Sequence, residues 1–347
     1  MNNIILHIGT NKTGTSSLQV FLREDKDFLK KNKFIHPNFK GGIGHHHELA
    51  TCLSKANSIY EPELHTQKAQ FYINEINKIF KSNPNHTIIL SSEAFHEHSN
   101  PSGLKKLLKN YNVKVFCYFR EHVSYLSSWY QQNIKETNET RSFTEWLDSR
   151  YIRNHTNYVE VLKQWSNSFG KNFKYRPFER ESLVGGDIVS DFCDFIGVDA
   201  PKVKKTYSNN PSISGNFLFI KKCLNEHISL KEGEEITESI SEICEYYDDW
   251  HLLFGSQRHK SRSFVGKLHL TEKEISYTHD LYKKHIKILE SEFNLKLTLS
   301  TTLNDIKFPD KMHLKEDFEL IIKECERSQP KLLKYFSRMN INDYIRD

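Results

Sequence analysis

The sequence predicts an α/β fold in which a parallel sheet is flanked by helices and followed by a helical C-terminal portion. Three observations carry this. Short β-branched or aromatic runs alternate with amphipathic stretches through the first half of the chain, as a strand-helix-strand fold requires. From about Pro211 onward the pattern becomes almost wholly helical. Hydrophobic residues make up 37% of the 347 positions and aromatics 12%, with 23 Phe and 16 Tyr, enough to bury a sizeable core.

The first element is the run from Asn3 to Ile8, read as a buried strand; Thr87 to Ser91, Val113 to Phe119 and Asn172 to Phe178 read the same way. Between them, Ser16 to Leu29 and Gln67 to Phe80 place apolar side chains three and four apart, the spacing of one helical face, and Pro101 to Leu108 reads as a shorter helix. Further on, Ile213 to Leu224, Glu234 to Leu253 and Glu272 to Phe293 read as helices. The expected organisation is one α/β domain over 1–300, helical from about 211, and a helical C-terminal extension over 301–347 that follows a Pro309-Asp310 turn.

Net charge is +5 from 49 basic and 44 acidic residues, far from the basic stripe of a nucleic-acid binder and sufficient for a small anionic ligand. Clusters such as Lys30-Lys31 and Lys202 to Lys205 read as solvated faces. Six cysteines, Cys52, Cys117, Cys193, Cys223, Cys244 and Cys325, are widely spaced without a Cys-x-x-Cys pair and read as reduced core thiols. Met1 runs straight into Ile4-Ile5-Leu6 without a basic leader, and no later stretch approaches a membrane-spanning length, so a soluble, cytoplasmic protein is expected.

In parallel sheets, ligands bind at the carboxyl ends of the strands. After the first strand the chain reads His7-Ile8-Gly9-Thr10-Asn11-Lys12-Thr13-Gly14-Thr15-Ser16-Ser17-Leu18. Such a loop aims backbone N–H groups and the positive end of a helix at a phosphate, with two glycines for close approach, hydroxyls as further donors and a lysine for charge. A nucleoside-triphosphate loop would need Gly-Lys-Ser/Thr, whereas Asn11 precedes Lys12 here. Lys12-Thr13-Gly14-Thr15-Ser16 instead resembles the 5′-phosphosulfate loop of sulfotransferases that use 3′-phosphoadenosine 5′-phosphosulfate (PAPS).

A second motif agrees in order and context. After the third of these strands come Arg120, Ser128 eight residues later and Tyr130, a spacing similar to the 3′-phosphate motif of the same superfamily. Arginine offers a fork of donors to a dianionic phosphate and serine a hydroxyl, which together would separate a 3′-phosphorylated adenosine from ATP. A third stretch, Tyr175-Arg176-Pro177-Phe178-Glu179-Arg180 with Gly185-Gly186-Asp187 and Asp191-Phe192, resembles bacterial members, as does Asn210-Pro211-Ser212-Ile213-Ser214. The resemblance runs from about residue 4 to 295 and has no counterpart over Thr301 to Asp347.

The resemblance to bacterial, carbohydrate-type PAPS-dependent sulfotransferases implies a fold like that of the P-loop NTPases. It implies PAPS as co-substrate, held by Lys12, Thr13, Gly14, Thr15, Ser16, Ser17, Arg120 and Ser128, with Phe178 near adenine or in the core. Lys12 would stabilise the leaving phosphate. The acceptor would be a hydroxyl compound, with a glycan favoured over a phenol or sterol; neither a metal, a nucleic acid nor a membrane span is required. Two places offer the base: Glu93, at the end of Leu90-Ser91-Ser92-Glu93, or else His46 and His47 in the cluster His45-His46-His47-Glu48 after Gly41-Gly42 and Gly44. Alternatively, Glu93 caps the following turn and the histidines form a polar loop. Trp129, Trp146 and Trp165 read as core rather than sugar platforms. The competing function classes are an ATP-dependent small-molecule kinase and a non-catalytic nucleotide-binding protein.

Overall fold

The computed structural model describes residues 1–39, 46–55, 62–98, 100–201, 213, 215–254, 270–299, 309 and 311–345. Gly41, Gly42, Gly44, His45, the Lys202 to Lys205 cluster and Asn210-Pro211-Ser212 lie outside the described residues. The chain divides into two compact units, one comprising Met1–Glu121, Asn154–Asn209 and Tyr282–Leu299, the other His122–Arg153, Asn210–Leu281 and Ser300–Asp347.

The first unit is built on five strands: β1 (Asn3–His7), β2 (Phe34–Ile35), β3 (Thr87–Ser91), β4 (Asn112–Phe119) and β5 (Phe173–Pro177). They form one sheet in the order β2-β3-β1-β4-β5, with every neighbouring pair parallel. β1 is central, and its register sets Ile4 beside Ile88 and Val113, and His7 beside Ser91 and Phe116. The near-continuous apolar runs follow from burial on both faces. Ile4, Leu6, Ile88, Leu90, Val113, Val115 and Cys117 pack on one face against helices Pro62–Ser82 and Tyr158–Phe169. Ile5, Ile89, Phe116 and Tyr118 pack on the other against Leu18, Phe21 and Leu22 and against Phe192 of helix Ile188–Ile196.

This two-faced packing positions the site. The helix following β1 covers one face, whereas Phe95 and Leu104, in the two helices after β3, join the other. Connections leaving on opposite faces make the carboxyl end of β1 a topological switch point, the place where open α/β sheets bind their ligands.

Two elements differ from the sequence reading. The stretch from Ser16 to Leu29 forms two helices, Thr15–Glu24 and Lys26–Lys31, rather than one. Asp25 makes the break: its backbone leaves the helical region and its carboxylate accepts the Phe28 N–H at 3.0 Å, capping the second helix. β2, only two residues long, carries too little pattern to be read from sequence.

The regular elements described in the second unit are helices, including His122–Glu136, Phe143–Leu147, Gly215–Asn225, Leu230–Phe254 and Leu314–Ser328. Trp129 and Trp146 pack edge to face at 5.5 Å, joined by Tyr130, so both serve the core of this unit. Trp165 is buried in the first unit, stacked on Phe169. Gly233 lies so close to the Thr137 backbone that a Cβ there would come within 2.7 Å of the carbonyl, which fixes glycine at this helix approach. Cys52, Cys117, Cys193, Cys223 and Cys325 are buried free thiols. Among the described residues no helix is long and apolar enough to cross a membrane.

Candidate functional site

The loop after β1 is shaped by its own threonines. The buried hydroxyl of Thr10 donates to the Tyr118 carbonyl at 3.1 Å, tying the loop to β4. Thr13 and Thr15 both donate to the Thr10 carbonyl, at 2.6 and 3.4 Å. These two hydroxyls therefore turn inward and brace the loop, while Ser16 is exposed and Ser17 half-buried.

Both glycines are dictated by space. At Gly9 a Cβ would fall 2.6 Å from the Thr15 hydroxyl and 3.0 Å from the His7 ring. Gly14 has φ of 74°, and a Cβ there would meet the Phe178 ring at 3.0 Å. Gly14 precedes helix Thr15–Glu24, whose first turn has no side-chain cap and no acidic residue. Its positive end is the loop itself.

Lys12, half-buried, adopts a left-handed backbone with φ of 61°, uncommon for a residue with a side chain. Its carbonyl accepts a hydrogen bond from Nη1 of Arg120 at 3.1 Å, so the arginine that follows β4 holds the lysine of the β1 loop. Burial lowers the Arg120 pKa from its ordinary value, yet a guanidinium so basic stays charged. Phe178 follows β5, its N–H bonded to the Phe119 carbonyl at 2.7 Å, and its half-buried ring lies against Gly14 and Tyr118.

On the other side of β1, the turn after β3 brings together Ser92, Glu93 and His47. The Ser92 N–H donates to the His7 carbonyl at 3.1 Å, which joins this turn to the end of β1. Ser92 Oγ accepts the Ala94 N–H at 3.1 Å and pairs with Nδ1 of His47. Ser92 thus supplies the turn's side-chain acceptor, and Glu93 points elsewhere. Glu93 Oε2 accepts from Nε2 of Gln19 at 3.2 Å and lies 4.0 Å from Nε2 of His47. The Glu93 side chain is 16% exposed and that of His47 49%, so both reach solvent.

His46 is placed differently. It is buried; its Nδ1 receives the Ser91 N–H at 3.0 Å, and its Nε2 lies 3.0 Å from the Pro37 carbonyl. A carbonyl only accepts, so Nε2 carries the proton and both ring nitrogens serve backbone groups. The ring pins the segment entering helix His47–Lys55 to the end of β3. His7, fully buried below the loop, bonds Ser91 Oγ through Nδ1 at 2.9 Å, and desolvation holds its pKa down to about 3, keeping the ring neutral.

The first unit therefore brings together the loop from Gly9 to Ser17 with Arg120 and Phe178, and the pair Glu93 and His47. Ser128 is carried by the second unit, half-buried on helix His122–Glu136. The stretch around Arg176 is an internal latch. Arg176 pairs with Asp191 at 2.7 Å and Asp194 at 2.8 Å, and the fully buried Asp191 also accepts from the Tyr118 hydroxyl and the Val184 N–H. Glu179 accepts the Thr298 N–H at 2.6 Å. Gln19 and Ser92 were not singled out from the sequence. The only signal for Gln19 is a polar residue one helical turn beyond Thr15, beside the apolar positions. Among the described residues no group of three or more His, Cys, Asp or Glu is placed to hold a metal ion.

Comparison with known proteins bears on this arrangement. The family model described as a sulfotransferase domain matches residues 3–209, more than half of the 347-residue chain. Among solved structures, a sulfotransferase from Alicyclobacillus acidocaldarius is similar at 18% identity, covering 59% of this chain and 87% of its own, with a TM-score of 0.39. The sulfotransferase domain from the curacin biosynthetic pathway is similar at 11% identity, covering 86% and 99%, with a TM-score of 0.37. No curated protein matches the chain. With the family match spanning the five-stranded parallel sheet and every motif from the β1 loop to Phe178, the chain belongs to the sulfotransferase family, and sulfuryl transfer is the activity that this membership supports.

Proposed function

We propose that this chain transfers the sulfuryl group of PAPS to a carbohydrate hydroxyl. The observation that carries the reading is the loop itself. A lysine in a left-handed conformation, locked by Arg120, stands at the start of a helix without a side-chain cap. An anion is the natural complement of such a place. In this reading the Lys12 ammonium and the N–H groups of Thr13 to Ser17 hold the 5′-phosphosulfate, Arg120 takes the 3′-phosphate, and Phe178 borders the adenine.

The transfer itself is an in-line displacement. The acceptor oxygen attacks sulfur as Glu93 takes its proton, the bond from sulfur to the bridging oxygen breaks, and negative charge grows on the 5′-phosphate. Lys12 stabilises that charge. His47, 4.0 Å from Glu93, is the alternative base, whereas the His46 nitrogens already serve backbone groups. The preference for a glycan follows the family resemblance of the motifs.

Titration calorimetry with 3′-phosphoadenosine 5′-phosphate and with ATP tests the donor. Binding of the first alone is expected, and a preference for ATP overturns the reading in favour of a kinase. Sulfate transfer from PAPS to a panel of glycans, phenols and sterols tests the acceptor; transfer confined to phenols or sterols overturns the carbohydrate assignment while leaving the donor intact.

A further inference from the structure

A buried polar side chain is costly unless its hydrogen-bonding groups are matched. Gln19 is such a side chain, 6% exposed, on the helix Thr15–Glu24 that opens at the phosphate loop. Its amide faces Glu93 Oε2 at 3.2 Å, and since an ionised carboxylate only accepts, the amide nitrogen is the group that faces it. Glu93 stands on the turn after β3, Gln19 on the helix after β1. One hydrogen bond therefore ties the carboxylate to the helix that starts at the donor loop, one turn from its first residue.

We infer that Gln19 is a positioning residue for sulfuryl transfer, holding Glu93 by its Oε2 in the orientation from which it takes the acceptor proton; this rests on Glu93 as the base. Two consequences follow from the chemistry. A neutral amide that donates to a carboxylate favours its ionised form, the one competent to accept a proton. It also removes the rotational freedom of the carboxylate, so that less reorganisation is needed at the moment of transfer.

The test uses the full chain, PAPS and an acceptor found by the panel above, with kcat followed from acid to neutral pH. Gln19→Met keeps the volume and removes the donor; kcat is expected to fall about tenfold or more with the KM for PAPS within about twofold, as for a lost contact in acid-base catalysis. The acid limb of the profile is expected to move up by about one pH unit in Gln19→Met, and further in Gln19→Glu, where two carboxyl groups share the site; His47 Nε2, 4.0 Å from Glu93 Oε2, is the other titratable group facing this carboxylate, and a shift that persists when His47→Gln is added belongs to Glu93. Gln19→Glu is nearly isosteric with the native residue and answers the question if Gln19→Met fails to fold. An unmoved limb in a folded variant overturns the inference, whether or not kcat falls, because a purely structural role would not involve proton affinity. Glu93→Gln separates the two ideas. If it retains full turnover, the base assignment fails; if it loses turnover while the Gln19 variants keep the native profile, only the role of Gln19 fails.

Discussion

Two lysines, one in each unit, show how the same side chain is used in opposite ways. Lys221, in the second unit, is fully buried and donates to the carbonyls of Ile134 and Thr137, each at 2.9 Å, and to Oδ1 of Asn225. It lies at the end of helix His122–Glu136, where carbonyls lack intrahelical partners and the helix dipole is negative. Desolvation draws its pKa down to about 7, but three oxygens meet its three protons and favour the charged form. Lys12 sits at the opposite pole of a helix. It stands at the positive end of a helix, where a cation is locally unfavourable, in a backbone conformation that also costs energy. A lysine that completes the structure sits where acceptors already converge. One that goes against both the dipole and its own backbone preference makes sense when an anion comes to lie beside it.

The largest expected effect tests that distinction directly. Lys12→Ala should lower transfer from PAPS by on the order of 10²–10³ in steady-state assays, as losing one electrostatic contact to developing charge does, and Arg120→Ala should greatly weaken use of the donor by removing its contact to the 3′-phosphate. Retained donor affinity and turnover in both variants would remove Lys12 from the chemistry and leave the contrast without content. Lys221→Met should do the opposite, lowering stability by about 3 kcal/mol in urea denaturation by leaving the carbonyls of Ile134 and Thr137 and the amide of Asn225 without their cation. The same folded variant should keep its affinity for 3′-phosphoadenosine 5′-phosphate. A variant of native stability that has lost donor binding would make Lys221 the functional lysine.

What could be read from the sequence follows the range of the interactions. β1, β3 and β4 are legible because each is a short, largely apolar and β-branched or aromatic run, and the helix Glu272–Phe293 matches its expected bounds because twenty-two residues carry a full amphipathic pattern. The loop from Gly9 to Ser17 is legible as a phosphate cradle because its glycines and lysine are local. The break at Asp25 is not, since a single side chain accepting the Phe28 N–H decides it. The inward turn of Thr13 and Thr15 toward one carbonyl, the clip made by His46 and the contact of Gln19 with Glu93 depend on partners brought together only by the fold, 74 positions apart in the last case. The Arg176 stretch shows the converse: residues that resemble a family motif serve an internal ion pair with Asp191 and Asp194.

The smallest effect sharpens the contrast by separating the backbone of Lys12 from its charge. At φ of 61° any residue with a Cβ is strained, whereas glycine is not. Lys12→Gly and Lys12→Ala both remove the ammonium and should lose transfer alike. They should differ in stability, with Lys12→Gly higher by about 1 kcal/mol in urea denaturation, the usual cost of a left-handed non-glycine residue after the entropy of the unfolded glycine is subtracted. If alanine proves more stable than glycine there by the full entropy of the unfolded glycine, about 0.4–1 kcal/mol, the loop carries no strain, and Lys12 would oppose the helix dipole alone. If glycine is the more stable and transfer is lost in both, the native lysine is kept at a conformational cost that its charge alone explains.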